Sequence, residues 1–241
     1  MRFFRRPTPT SEAYTMNFAE WEPVYERILD DFGFPRAADE RARDVLAEYV
    51  EPFDIDRLDV TGETVAIAGG APCLAEEADL ALARDADCVF AASTAVDVLR
   101  DAGIAADAMV TDLDKNPETA RDLTQAGIPV VAHAHGDNIP AVRDVVPTFD
   151  ADHVLGTTQA EPRGEIRNFG GFTDGDRAAF LADHCGADAL VFPGWDFDDS
   201  RVDAMKARKL AWAARLLRWL ETRRGERFAV LDGRRDRLDV P

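Results

Sequence analysis

Residues 64–114 read TVAIAGGAPCLAEEADLALARDADCVFAASTAVDVLRDAGIAADAMVTDLD. Three short apolar runs stand out: TVAIAGG (64–70), DCVFAAS (87–93) and DAMVTD (107–112). Between them lie PCLAEEADLALA (72–83) and TAVDVLRDAG (94–103), whose apolar residues recur at helical spacing. The alternation continues toward the C-terminus: PETARDLTQAG as helix, IPVVAHAHG as strand, NIPAVRDVV as helix, and HVLGTTQ and ALVFPG as strands on either side of a helix that begins near Asp174. Strand followed by helix, repeated, predicts an α/β protein with a mostly parallel open sheet and helices on both faces, a Rossmann-like arrangement. The runs are continuously apolar, so the sheet is expected to be buried on both sides.

Toward the N-terminus the texture differs. Residues 1–15 carry Arg2, Arg5 and Arg6 with two prolines and read as a disordered extension, with Met16 as a second candidate start. A helix is expected from Phe18 to about Asp31, stopped by Gly33, and another from Pro35 to about Val50. The expected organisation is therefore a helical segment over 16–60 and an α/β catalytic domain over 61–241. The latter includes a long helix from about Val202 to Thr222, then RFAVLDGRRDRLDV as an edge strand and turn.

Composition excludes several functions. No apolar run reaches the ~18 residues that a membrane span needs, and the N-terminus lacks the apolar core of a secretory signal. Cys73, Cys88 and Cys185 have no CxxC spacing, which argues for reduced thiols and a cytoplasmic location. A formal net charge of −18 repels duplex nucleic acid. Of 28 basic residues only Lys115, Lys206 and Lys209 are lysines. So acidic and lysine-poor a chain fits a high-salt cytoplasm, and the few retained lysines invite a functional reading.

Ligands of open parallel sheets bind at the carboxyl ends of the strands. Reading those ends gives Gly69-Gly70, Asp112-Leu113-Asp114, the loop His133-Ala134-His135-Gly136-Asp137-Asn138, Gln159, and Gly194-Trp195. Nearly all the polar clusters share one edge, which points to an enzyme or a small-ligand binder. Asp112 and Asp114, at i and i+2, are placed to hold a hard cation such as Mg²⁺, or else to cap the following helix. Gly170, Gly171 and Thr173 precede a helix start and suit an anion site; Thr173 with Asp176 also fits a capping box. His133 and His135 lack partners for a zinc site, so their loop is read as substrate-positioning, with a structural or hydrogen-bonding role as the alternative for each histidine. Lys209 falls between Met205 and Trp212 in the expected buried stripe of the long helix, with Lys206 nearby, and both are read as phosphate contacts, or else as side chains snorkelling from a solvated face. No P-loop, GxGxxG or GxSxG motif occurs.

Gly69-Gly70-Ala71-Pro72, Val110-Thr111-Asp112-Leu113-Asp114, the HAHGDN loop, Asn168 to Arg177 and Lys206 to Leu210 occur in that order. Together they resemble the archaeal-type 6-hydroxymethyl-7,8-dihydropterin pyrophosphokinases, distant relatives of thiamine pyrophosphokinase and of a glycosyltransferase-like group linked to flagellin modification. The resemblance spans roughly residues 60–215. It departs at GGAPCL, where GGGPSL is expected, and at Lys115, where glycine is expected. It implies a thiamine-pyrophosphokinase-like fold and transfer of the terminal diphosphate of ATP to a pterin alcohol, with release of AMP.

On that basis Asp112 and Asp114 are assigned to Mg²⁺. Lys206, Lys209, Asp174 and Asp176 are assigned to catalysis, the two aspartates doubling as further metal candidates. Gly69, Gly70, Gly170, Gly171, Thr173, Lys206 and Lys209 are assigned to phosphate, and His133, His135, Asp137, Asn138, Gln159, Phe172 and Trp195 to substrate. Small molecules are the expected partners, without nucleic acid or membrane, and a homo-oligomer is left open. The rival readings are a thiamine pyrophosphokinase, a nucleotide-sugar enzyme and a non-enzymatic nucleotide sensor.

Overall fold

The computed structural model describes residues 16–241, so the expectation for residues 1–15 lies outside the described residues. Six strands form one parallel sheet: β1 (Thr64–Ala68), β2 (Cys88–Ala92), β3 (Ala108–Thr111), β4 (Val130–Ala134), β5 (Val154–Thr158) and β6 (Ala189–Val191). Their order is β5-β4-β3-β2-β1-β6, with every neighbouring pair parallel. The expected α/β architecture is therefore present.

Alternation along each strand divides the core in two. Val65, Ile67, Phe90, Val110, Val131 and Leu155 face one side, while Ala66, Ala68, Val89, Ala91, Met109 and Val130 face the other. The second face carries α3 (Glu77–Asp85), α4 (Ala95–Asp101), α5 (Pro117–Gln125) and α6 (Ile139–Val145), the crossovers that join β1 through β5 in one direction. Right-handed crossovers stepping one way along a sheet all land on the same face. The chain then returns across the first face through α7 (Asp174–His184), which packs on β1, β2 and β3 before β6 forms beside β1. The strand order thus reverses at β1.

The N-terminal helices grip both faces. α1 (Phe18–Phe32) joins the first core through Trp21, Tyr25 and Ile28, and α2 (Arg36–Leu46) joins the second through Ala42 and Leu46. A capping box between Asn17 and Glu20 starts α1, and Gly33, at φ 71°, ends it in the left-handed region. The short link at Phe34-Pro35 therefore passes over the carboxyl edge of the sheet.

The long C-terminal helix, α8, runs from Ala204 to Arg224. Its buried stripe begins only at Trp212 and continues through Leu216, Leu217 and Leu220; Met205 is exposed. The expectation that Lys209 lies inside that stripe is corrected, because the first two turns overhang the sheet edge. Residues 227–240 form no strand. They fold into short 3-10 turns at Ala229–Leu231 and Arg235–Arg237, gathered by the buried Glu221, which accepts from Phe228 N and the Arg235 guanidinium. The outer edge of β6 is instead met by Glu226, whose carboxylate accepts from Leu190 N at 3.1 Å. Among the described residues no helix is long and apolar enough to cross a membrane.

Candidate active site

The turn after β3 sets the geometry. Leu113 has φ 68°, a region that non-glycine residues seldom occupy, and its side chain is buried in the second core. Thr111 Oγ1 accepts from Leu113 N at 3.0 Å and fixes the reversal. Burial of this leucine holds the strained backbone, so that Asp112 and Asp114, on either side of it, line the same cleft.

The end of β4 supplies the next layer. The His135 ring lies between two carboxylates, with Nδ1 2.7 Å from Asp137 Oδ1 and Nε2 3.4 Å from Asp112 Oδ2. Asn138 serves as a bracket: its amide donates to Asp112 O and His133 O and accepts from His135 N. It is buried and lines neither cleft described below, which corrects its assignment to substrate. His133 is likewise buried beneath the site and lines neither cleft; its Nδ1 lies 3.1 Å from Thr157 Oγ1, its buried Nε2 has no partner among the described residues, and burial holds its proton affinity low.

The α7 N-terminus points at the same place. Thr173 and Asp176 form the capping box, and the Asp176 carboxylate also accepts from Phe172 N. Asp176 is completely buried and lines neither cleft, which corrects its catalytic and metal assignments; the cap alone accounts for it. Asp174 does face the cleft, 3.2 Å from Arg177 Nη1. A chain of bonds leads away from that pair: Arg177 donates to Gln159 Oε1 at 3.2 Å, Gln159 Nε2 donates to Asp39 Oδ2 at 2.8 Å, and Tyr25 donates to the same oxygen at 2.7 Å. Asp39 Oδ1 accepts from Gly136 N at 2.7 Å.

Two clefts adjoin here. The larger, about 370 Å³, is walled by Phe34, Pro35, Asp39, Asp112, Asp114, His135, Gln159, Phe172 and Arg177. The smaller, about 330 Å³, is walled by Gly69 to Pro72, Ser93, Thr94, Gly194, Trp195 and Asp196. Lys115, Thr173, Asp174 and Lys206 line both, and Lys209 lines the larger. All three lysines of the chain thus stand at one place.

The carboxylates repel one another. Burial, then hydrogen bonding to Asp112 and its charge, push Asp114 up to about 6. Burial and the Asp112 charge push Asp174 up to about 7, against the pull of Arg177. Burial would raise Asp112 as well, but hydrogen bonds with His135 and Asp114, helped by Arg177, hold it well below the usual carboxylate range. Burial alone would lower His135; its bonds to Asp112 and Asp137 outweigh this and push it up to about 9. Lys206 is lowered by desolvation and by neighbouring Lys115. Among the described residues no group of three His, Cys, Asp or Glu completes a metal site from protein alone. Mg²⁺ asks for less, one or two carboxylates with the rest from water and phosphate oxygens, and the crowded negative charge at Asp112, Asp114 and Asp174 fits such a cation.

The glycines behave differently from expectation. Gly69 N donates to Pro193 O at 2.9 Å and is spent on the link between the β1 and β6 ends; a Cβ there would fall 2.5 Å from Gly194 O. Gly69 is therefore required by packing, although it lines the smaller cleft together with Gly70. Gly170 and Gly171, at φ 90° and 92°, line neither cleft. A Cβ on Gly171 would lie 2.6 Å from Arg177 Cα, so this pair brings the loop against α7, and the phosphate reading is withdrawn for both. Trp195 lines the smaller cleft with its indole N–H donating to Ile67 O, and Phe172 lines the larger, packed on Phe32. Asp137 lines the larger cleft as the exposed partner of His135.

Sequence reasoning missed Asp39, Phe34 and Arg177 as site residues, and singled out Lys115 as a retained lysine without giving it a role. Asp39 sits in an amphipathic helix whose periodicity gives no sign of a buried carboxylate. Arg177 stands inside a quoted motif whose other residues drew the assignments.

Residues 41–202 match the model of the MptE-like 6-hydroxymethylpterin diphosphokinase family. The chain is 38% identical over 224 residues to a 6-hydroxymethyl-7,8-dihydropterin pyrophosphokinase of Methanothermobacter thermautotrophicus, covering 86% of this chain and 96% of that one. It is 37% identical to the protein of the same description from Pyrococcus furiosus, over 86% and 95% of the two chains. To that from Methanocaldococcus jannaschii it is 31% identical, over 86% and 96%.

Proposed function

The chain belongs to the MptE-like 6-hydroxymethylpterin diphosphokinase family, and from that membership we propose that it transfers a diphosphate from ATP to the hydroxymethyl group of a 7,8-dihydropterin. One observation carries the reading onto this site: Asp112, Asp114, Asp174 and all three lysines line the larger of two adjoining clefts, and Asp174, Lys115 and Lys206 line the smaller as well.

The larger cleft suits the pterin. Phe34 and Phe172 offer aromatic surface to a flat ring. Asp39 has taken three hydrogen bonds of the about four a carboxylate accepts, which leaves one acceptor position for the guanidine-like edge of the ring. The smaller cleft, with Gly70, Thr94 and Trp195, takes the nucleoside end of ATP. The β and γ phosphates then lie at the junction, against Lys206 and Lys209.

In the reaction the hydroxymethyl oxygen bonds to the β-phosphorus. The bond from that phosphorus to the oxygen bridging α and β breaks, and AMP leaves with that oxygen. Asp174 lines both clefts and has a proton affinity near neutrality, and it takes the hydroxyl proton. When bound, Mg²⁺ held through Asp112 and Asp114 supplies charge neutralisation across the phosphates. Holding the two substrates in line supplies much of the remaining acceleration.

Incubation with ATP, Mg²⁺ and either the pterin alcohol or thiamine, in high salt, tests this reading. AMP and a pterin diphosphate are expected with the first acceptor only. AMP with thiamine alone, or turnover of a nucleotide sugar instead, would replace the proposal.

A further inference from the structure

Besides Thr173, Asp174 and Lys206, a fourth residue lines both clefts: Lys115, in the turn that follows Asp114. We propose that Lys115 is a third phosphate-binding ammonium, contacting the diphosphate as it passes from nucleotide to pterin. The inference rests on the diphosphotransfer reading and adds a residue and a location to it.

The two kinds of basic residue divide the work. Arginines make the structural ion pairs: Arg36 with Glu22 and Glu26, Arg224 with Asp183 and Glu226, Arg235 with Glu221 and Asp232. Among the described residues none of the three lysines has a carboxylate within 4.0 Å. Lys115 follows Asp114 directly in the chain and still does not close on it. Its charge is nonetheless felt at Asp114, at Asp174 and at Lys206, the groups that surround the junction. Two ammonium groups that disfavour one another, near carboxylates but closed into no ion pair with them at the mouth of a cleft, gain when a polyanion enters between them. A compact ammonium on a flexible stem also suits a group in transit, because its three donors re-aim as the phosphate moves, whereas a guanidinium fork holds one geometry.

The transferring diphosphate forms a bond to the pterin oxygen and gives up its bond to AMP, so its oxygens move from the smaller cleft toward the larger. Lys206 and Lys115 are the two cations that line both. A grip kept by the same groups before and after transfer stabilises the charge while it is spread over the moving phosphoryl oxygens.

The test compares wild type with Lys115→Gln and Lys115→Arg. Calorimetric titration with inorganic pyrophosphate, with and without Mg²⁺, reads binding; AMP release with saturating pterin alcohol reads turnover. Lys115 is exposed and without an ion-pair partner among the described residues, so both variants are expected to unfold at the wild-type temperature. The glutamine variant is expected to bind pyrophosphate about 10- to 100-fold more weakly, the scale of a charge-assisted hydrogen bond. Its kcat is expected to fall by a similar factor, with partial recovery in the arginine variant. Wild-type binding and turnover in the glutamine variant, within twofold, overturn the role of Lys115 alone. A wild-type protein that neither binds pyrophosphate nor releases AMP overturns the diphosphotransfer reading beneath it.

Discussion

His135 Nε2 lies 3.4 Å from Asp112 Oδ2, and its other ring nitrogen lies 2.7 Å from Asp137 Oδ1. The imidazole thus orients a carboxylate that lines the cleft and is itself held charged. Outer partners of this kind commonly alter metal affinity or activity by about 10- to 100-fold when removed. His135→Asn is expected to lower kcat/KM within that range and to raise the Mg²⁺ concentration needed for half-maximal rate. Asp137 is 89% exposed in its side chain, so Asp137→Asn is expected to cost clearly less. Equal losses in the two variants, measured across a Mg²⁺ titration, would contradict this ordering.

Asp112 and Asp176 separate chemistry from architecture. Asp112→Asn and Lys209→Met are each expected to lower kcat by at least about 10²-fold, the effect of losing one preorganised electrostatic contact. Asp176→Ala removes the α7 capping box and is expected to cost about 1–2 kcal/mol of stability, leaving turnover per folded molecule near wild type. Steady-state kinetics and thermal melts on the three variants check the division.

The metal-free protein is expected to lose stability as pH rises from about 5 to 9. Asp114 and Asp174 have folded values raised to about 6 and about 7, so folding favours their protonated forms and the penalty of ionising them grows through that range. His135, raised to about 9, contributes stability that is complete below its ordinary value and is lost as pH climbs through 9. The depressed Asp112 acts only in strong acid, outside this window. Asp174→Asn should flatten the curve between pH 5 and 8. Melting curves across the pH series decide; an unchanged slope in the variant would show that Asp174 is not the titrating group.

Asp39 joins α1, α2, the β4 loop and Gln159. Asp39→Ala strands Tyr25 Oη, Gly136 N and Gln159 Nε2, and is expected to cost about 3–5 kcal/mol, on the scale of breaking a buried charged network. The milder Asp39→Asn should raise KM for the pterin alcohol while leaving KM for ATP within about twofold, since Asp39 lines only the larger cleft. Denaturant titration and two-substrate kinetics check both statements.

The sheet was legible because buried parallel strands carry their signature in composition: TVAIA, CVFAA and VVAHA are apolar throughout and separated by helical periods. At the candidate site the sequence order put Asp112 and Asp114 at the carboxyl end of a strand, and the fold brings both to one cleft. The site was misread where a polar residue serves the backbone. Asn138 looks chemical in a motif, yet its amide is taken up by His133 O and by Asp112 O, 26 positions away, while Asp176 is taken up by the capping box that Thr173 offered as the alternative. Gly170 and Gly171 went the same way, since nothing local distinguishes room for a ligand from room for a neighbouring helix. Asp39 was invisible for the converse reason: its three partners lie 14, 97 and 120 positions away.

Confining lysine to one spot makes the molecule its own reporter. Apart from the terminal α-amine, an acylating reagent has three primary amines to attack, and all of them border the joined clefts. The extent of modification at each, read by mass spectrometry with and without nucleotide or pterin, then maps occupancy residue by residue, without any label having to be introduced.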